Sequence, residues 1–224
     1  MSELKVIEIK QRVFADNNRE ADGVRAELKK EHTFLLNLMS SPGSGKTTTL
    51  KATIARLKDK LRIGVMEADI DSDVDARAIA ETGVKSIQLH TGGMCHLDAG
   101  MTEQGLKELG TAGLDLAILE NVGNLVCPAE FDTGAVKNVA ILSVPEGHDK
   151  PLKYPLMFEV CQALIINKID VLPYFDFDMD KVLEFALKRN PNIEIFPISA
   201  KTGEGVDAWC AWLESQVEEW VRQD

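Results

Sequence analysis

Ser40-Ser41-Pro42-Gly43-Ser44-Gly45-Lys46-Thr47 joins residue types that together bind phosphate. It follows the apolar run Thr33 to Met39 and precedes a stretch with Leu50, Ile54 and Leu57 at helical spacing. Strand, glycine-rich turn and helix is the context a phosphate-binding loop requires. The turn aims the backbone N–H groups of Gly43, Ser44, Gly45, Lys46 and Thr47 at an anion, aided by the positive end of the helix that Thr47 and Thr48 open. Lys46 is expected at the β- and γ-phosphates and the Thr47 hydroxyl on Mg²⁺. The usual first glycine of the pattern is Ser40 here, which puts the detailed loop geometry in question.

A second set selects the base. Asn167-Lys168-Ile169-Asp170 directly follows the apolar run Cys161 to Ile166. A carboxylate at Asp170 accepts from both N1–H and the exocyclic amine of guanine, whereas adenine offers neither donor at that edge. Lys168 lays its stem along the base, and Asn167 ties the two loops together. Ser199-Ala200-Lys201, after the run Ile193 to Ile198, supplies a backbone N–H at Ala200 for guanine O6. The three signals in order favour GTP/GDP over ATP.

Leu114 to Glu120 is an apolar run ending in a carboxylate, and Gly123 follows three residues later. Glu120 is placed for Mg²⁺ or its water shell, and Gly123 for an N–H to the γ-phosphate. Asp69, Asp71, Asp73 and Asp75 form an acidic switch-like segment after the run Arg62 to Glu67. Asp69 and Asp75 are taken as the ones that meet Mg²⁺ or orient the attacking water, with a solvated loop an equal reading for any single aspartate. Asn124 stands where many Ras-like GTPases place a water-positioning glutamine, so slow unaided hydrolysis is expected.

Cys95-His96 lies in the glycine-bordered loop Thr91 to His96, and Cys127-Pro128 lies shortly after Glu120-Asn121-Val122-Gly123. Two thiolates and an imidazole suit Ni²⁺ or Zn²⁺. Spacing alone allows an equal alternative, two reduced thiols and a loop histidine, since no CxxC knuckle or fourth ligand is present. An incomplete set also fits a site completed across a two-fold axis. His90 can join or merely hydrogen-bond; Cys161 and Cys210 read as packing.

These loops need a scaffold. Apolar runs at Thr33 to Met39, Arg62 to Glu67, Ser86 to His90, Leu114 to Glu120, Asn138 to Val144, Cys161 to Ile166 and Ile193 to Ile198 alternate with helical segments. That pattern predicts an α/β fold: a mostly parallel seven-stranded sheet with helices on both faces and ligands at the strands' carboxyl ends. The first thirty residues read as a polar helical extension with a thin stripe at Phe14, Ala21, Val24 and Leu28. Val206, Trp209, Leu213, Val217 and Trp220 form a C-terminal helical stripe expected in the core.

A length of 224 residues most economically makes one domain, 1–224. The net charge of −11 disfavours nonspecific attachment to nucleic acid or anionic membrane. No apolar run approaches the ~20 residues of a membrane span, and no signal-peptide pattern opens the chain. A cytoplasmic location is therefore expected, with the cysteines reduced or metal-bound.

Ser40 to Thr47, Glu67-Ala68-Asp69, Gly92-Gly93-Met94-Cys95-His96, Glu120 to Pro128 and Asn167-Lys168-Ile169-Asp170 together closely resemble the HypB family, the GTPases of nickel insertion into [NiFe]-hydrogenase. The resemblance runs from about Leu35 to the C-terminus. It implies a Rossmann-like P-loop NTPase domain of the SIMIBI class that forms a homodimer around nucleotide. It further implies slow GTP hydrolysis coupled to nickel delivery, a HypA-type nickel chaperone and the hydrogenase large subunit as partners, and a metal site between subunits. Carried onto matching positions, it makes Cys95, His96 and Cys127 the metal ligands. Lys153, and after it Lys150, resemble lysines that reach the nucleotide of the partner subunit. Many relatives carry an N-terminal Cys-rich motif or histidine tract; here no cysteine precedes Cys95 and His32 is the only early histidine. In the sibling urease accessory GTPase UreG the metal motif resembles Cys-Pro-His, whereas Cys127-Pro128 is followed here by Ala129, which favours hydrogenase over urease. A regulatory GTP switch without metal transfer is the alternative from another class.

Overall fold

Strands that are apolar on both faces can be stable only between two helical layers, and the chain builds that arrangement. The computed structural model describes residues 9–69 and 74–222. Asp71 and Asp73 of the acidic segment lie outside the described residues. Helices are α1 (Ile9–Lys30), α2 (Lys46–Leu57), α3 (Val74–Ala80), α4 (Ala99–Leu109), α5 (Cys127–Glu130), α6 (Lys150–Lys153), α7 (Pro155–Glu159), α8 (Met179–Arg189) and α9 (Val206–Arg222). Strands are β1 (Phe34–Ser40), β2 (Ile63–Asp69), β3 (Lys85–His90), β4 (Leu116–Glu120), β5 (Lys137–Ser143), β6 (Ala163–Asn167) and β7 (Glu194–Pro197).

The strands form one seven-stranded sheet in the order β3-β2-β4-β1-β5-β6-β7, and every pairing is parallel. From β1 the chain winds to one side and returns through β4, then crosses to β5 and winds the other way. The strand order therefore switches around β1, the place where open α/β sheets bind ligands. The phosphate loop leaves β1 there.

Side chains alternate faces along each strand. Phe34, Leu36 and Leu38 of β1, with Leu116 and Ile118 of β4, pack against Leu50, Ile54 and Leu57 of α2 and Trp209, Leu213 and Val217 of α9. The C-terminal stripe is thus core, as expected, and Trp209 donates its indole N–H to Thr53 Oγ1 at 2.9 Å. On the opposite face Leu35, Ala117 and Leu119 meet Leu106 and Leu109 of α4 and Val24 and Leu28 of α1. Leu164 and Ile166 of β6 are covered there by Met157, Phe158 and Val182.

Helix α1 does more than lie on the surface. Ala21, Val24 and Leu28 are buried, and at its far end Lys29 Nζ donates to the Trp220 carbonyl of α9 at 2.5 Å. Boundaries differ slightly from the sequence reading. β2 runs on to Asp69, which places that carboxylate on the strand's last residue. β4 starts at Leu116 because Asp115, at its mouth, is gripped by the Arg62 guanidinium and backbone N–H at 2.6–2.9 Å. β7 ends at Pro197, just before Ile198, whose N–H still donates to the Ile166 carbonyl of β6 at 2.8 Å.

Candidate functional site: a phosphate cleft beside a thiol–imidazole cluster

The octapeptide forms a tight turn with Gly43 at φ 76° and Gly45 at φ 95°. L-residues with a Cβ avoid that left-handed region. Helix α2 begins at Lys46 with no side-chain cap, leaving its first N–H groups available to an anion. The departure at Ser40 has a use: its buried hydroxyl accepts from Ser44 Oγ at 2.7 Å and from Lys46 Nζ at 3.1 Å. The loop is thereby cross-tied at its root, and the Lys46 ammonium is held within it.

Gly45 also fixes the neighbouring loop. A Cβ there would lie 2.5 Å from Asn167 Nδ2, the amide that donates to the Ser44 carbonyl at 3.0 Å. Gly45→Ala combines that clash with an unfavourable φ and is expected to weaken GDP binding about 10–100-fold, read by titration of a fluorescent GDP analogue. Wild-type affinity in the variant would contradict the close approach.

The loop opens on a cleft of about 610 Å³ whose walls include Lys46, Thr47 and Thr48, Asp69 and Asp75, Glu120, Gly123 and Lys168. Most of the residues singled out for phosphate and Mg²⁺ are therefore brought to one cavity. Thr47 Oγ1 donates to Glu120 Oε1 at 3.2 Å. A Cβ on Gly123 would be 3.1 Å from Pro42 Cγ, so the β4 turn lies directly against the phosphate loop.

The cleft also contains Glu67, quoted from sequence only within the Glu67-Ala68-Asp69 motif and with no role assigned to it. Glu67 of β2 is in register with Glu120 of β4, and both are buried, at 2% and 4% exposure. Burial, and then the Glu120 carboxylate, push the Glu67 carboxyl well above the ordinary carboxylate range. Burial raises Glu120 too, opposed by the Lys46 ammonium. A hydrogen bond between the two carboxyls raises Glu67 further and lowers Glu120. One oxygen of each, Glu67 Oε1 and Glu120 Oε2, is buried without a hydrogen-bond partner, leaving two acceptors that a cation or a water can satisfy.

The turn after β4 is set by asparagines inside the sheet. Asn121 Nδ2 donates to Asn37 Oδ1 at 3.1 Å, Asn37 Nδ2 donates to Asn138 Oδ1 at 2.9 Å, and Asn121 Oδ1 accepts from the Val122 N–H. Asn124 Oδ1 accepts from the Val126 N–H at 2.8 Å. That side chain serves the turn, which agrees with the absence of a water-positioning glutamine.

At the base-reading loops, Lys168 takes φ 64° and its Nζ donates to the Gly43 carbonyl at 2.7 Å. Asp170 Oδ1 accepts from Ser199 Oγ at 2.6 Å. The Ala200 N–H donates to Asn167 Oδ1 at 3.1 Å, so that group is engaged within the chain. Lys201 is exposed beside it. Lys153 lies outside the cleft and pairs with Asp149 at 2.6 Å, its side chain 61% exposed; Lys150 sits 5.4 Å over the Tyr154 ring.

The ligand atoms of Cys95, His96 and Cys127 lie within 4.8 Å of one another. Among the described residues no other group of three or more histidine, cysteine or acidic side chains comes together in this way, and His90 is not part of it. Gly92 at φ 62° and Gly93 at φ 97° turn the chain out of β3, and Cys127 opens α5 on the loop that follows Gly123. Burial lowers the His96 imidazole below its usual value, favouring the neutral ring that binds metal. A side-chain hydrogen bond with Cys95, then burial and the charge of the Cys95 sulfur, raise the Cys127 thiol, and a bound cation would reverse that by favouring the thiolates. Cys161 and Cys210 are buried packing residues as expected, and burial pushes the Cys210 thiol up to about 11.

Residues 34–197 match the family described as CobW/HypB/UreG, nucleotide-binding domain. The hydrogenase maturation factor HypB of Escherichia coli K12 is 48% identical over 216 residues, which cover 96% of this chain and 74% of that protein. The crystal structure of HypB from Helicobacter pylori in complex with nickel superposes with a TM-score of 0.86 at 40% identity, covering 91% of this chain and 96% of that one. HypB from Archaeoglobus fulgidus gives a TM-score of 0.85 at 36% identity, over 91% and 99% of the two chains. With its P-loop, its all-parallel sheet and its Cys/His cluster, the chain belongs to the CobW/HypB/UreG family, on the branch of the hydrogenase maturation factors HypB.

Proposed function

We infer that this protein is a slow GTPase that holds nickel at Cys95, His96 and Cys127 and releases it, according to nucleotide state, during [NiFe]-hydrogenase maturation. The observation that carries the reading is continuity: Gly123 abuts Pro42 of the phosphate loop, and Cys127 follows four residues later on the same turn. A movement at the γ-phosphate displaces one metal ligand relative to the other two. The relative crystallised with nickel supports the cargo, and the ligand set accepts Ni²⁺ or Zn²⁺.

GTP or GDP is held by the N–H groups of Gly43 to Thr47 and by Lys46 and Thr48, with Gly123 at the γ-phosphate. Lys168 and Asp170 meet the base, with Lys201 beside them, in loops that Asn167, Ser199 and Ala200 tie together. The orphaned carboxylate oxygens at Glu67 and Glu120 fit a hard cation. Thr47, Asp69, Asp75 and Glu120 would hold Mg²⁺, which supplies charge neutralisation at the β- and γ-phosphates. A homodimer formed on GTP would complete the three-ligand site and bring Lys153 to the partner's nucleotide. The partners are a HypA-type chaperone as donor and the hydrogenase large subunit as acceptor, in the cytoplasm; no described helix is long and apolar enough to cross a membrane.

Equilibrium nickel and zinc titrations in GDP and in a nonhydrolysable GTP analogue test this. Affinity or stoichiometry is expected to differ between the two nucleotides, and Cys95→Ala to remove the site. Identical isotherms in both nucleotides would eliminate the coupling, and a Cys95→Ala isotherm like the wild type would eliminate the metal site.

A further inference from the structure

The two loops that carry the cluster are not joined to each other by sheet hydrogen bonds; helix α1 joins them. Asn17, on an otherwise exposed stretch of α1, is 6% exposed. Its Nδ2 donates to the Asp132 carbonyl at 2.9 Å, and its Oδ1 accepts from the Ala99 N–H at 2.9 Å. Ala99 opens α4 three residues after His96, and Asp132 lies two residues past α5, which Cys127 begins. One amide thus bridges the backbones on either side of the cluster and satisfies its own burial in doing so.

Other contacts act in the same sense. Arg25 Nη1 and Nη2 grip Asp132 Oδ1 and Oδ2 at 2.8 and 2.9 Å. A Cβ on Gly134 would lie 2.6 Å from Val24 Cβ, so the chain leaving the Cys127 loop is pressed onto α1. The Phe131 ring stacks on the His96 imidazole with centroids 3.9 Å apart and planes 17° apart. Phe14 of α1 backs Phe131 at 5.0 Å.

Resting on the metal reading above, we propose that α1 is the brace of the metal centre: Asn17 fixes the separation of the His96 and Cys127 loops, and Phe131 fixes the plane of the His96 ring. Both are positioning residues, and neither touches the ion. An imidazole free to turn, or loops free to part, must be ordered when the metal binds, and that cost appears as lost affinity. The arrangement also makes α1 a lever: whatever shifts α1 changes metal affinity without contacting the ligands.

The test titrates nickel into the full chain against a competing chelator, following the thiolate-to-nickel charge-transfer band and, separately, GDP affinity. Asn17→Ala and Phe131→Leu are expected to weaken nickel binding about 10–100-fold and to alter the band. Phe131→Tyr, which keeps the flat ring, is expected to retain both, as is Arg19→Ala, whose side chain is 79% exposed on α1. GDP affinity stays at the wild-type value throughout. Wild-type nickel affinity and band in Asn17→Ala and Phe131→Leu would overturn the proposal, as would equal losses of GDP and nickel, which mark a general folding defect. If Asn17→Ala does not fold, the contrast between leucine and tyrosine at 131 decides. Cys95→Ala separates the two levels. If it binds nickel normally, the metal reading fails; if it loses nickel while the brace variants do not, only the brace fails.

Discussion

Asp170→Asn is expected to lower GTP affinity and to admit xanthosine triphosphate, shifting the ratio of the two affinities by about 10⁴. In the wild type, Asp170 Oδ1 already accepts from Ser199 Oγ at 2.6 Å, which leaves an acceptor-only group to meet the base. Guanine presents two donors at that edge, and an acceptor-only carboxylate matches both. An amide turns one acceptor into a donor. The donor then opposes the exocyclic amine of guanine but meets the C2 carbonyl of xanthine, while the amide oxygen keeps Ser199 and N1–H. The substitution is isosteric and the loop is held by other bonds: Asn167 to Ser44, and Lys168 to Gly43. Competition of GTP and XTP against a fluorescent GDP analogue reads the ratio. Retention of the wild-type preference for GTP would move base reading away from Asp170.

Such a prediction can be drawn almost wholly from sequence, because the chemistry in this fold sits at strand ends. Each motif follows an apolar run, the runs are apolar on both faces, and a parallel sheet puts all their carboxyl ends at one edge. The phosphate loop, the base-reading tetrapeptide and the convergence of Cys95, His96 and Cys127 were legible for that reason. Contacts that depend on strand order were not. Glu67 reads as one more acidic residue near a strand end until β2 is placed beside β4 and its register sets it opposite Glu120. Asn37, Asn121 and Asn138 are scattered in sequence and adjacent only across β4, β1 and β5. The role of α1 was hidden for a different reason. Its apolar stripe is thin, and the residue that links the metal loops is a polar one, Asn17, with partners 82 and 115 residues away.

The buried carboxyl pair leads to the other large effect. Glu120→Gln is expected to lower GTP hydrolysis about 10³-fold while raising the melting temperature of the nucleotide-free protein. The two changes share one cause. Two carboxyl groups, at 2% and 4% exposure, share a site with one oxygen of each unpartnered, so the fold carries a cost of burial and repulsion that Lys46 offsets in part and a bound cation offsets further. A neutral amide at 120 keeps a carbonyl to accept from Thr47 and an N–H₂ to face Glu67, and it removes the repulsion. The gain is expected at about 2–6 °C, equivalent to about 1–2 kcal/mol for a chain of this length. The same change withdraws a negative oxygen from the place proposed for Mg²⁺, so the magnesium concentration needed for half-maximal hydrolysis rises as turnover falls. Glu67→Gln tests which carboxyl serves the nucleotide. Glu120, not Glu67, accepts from Thr47 at 3.2 Å, and an amide at 67 keeps a donor toward Glu120, so hydrolysis is expected to fall less than in Glu120→Gln. Equal losses in the two variants would mean that the carboxylates act as one unit at the nucleotide, and a melting temperature lowered by Glu120→Gln would show that the pair supports the fold instead of straining it.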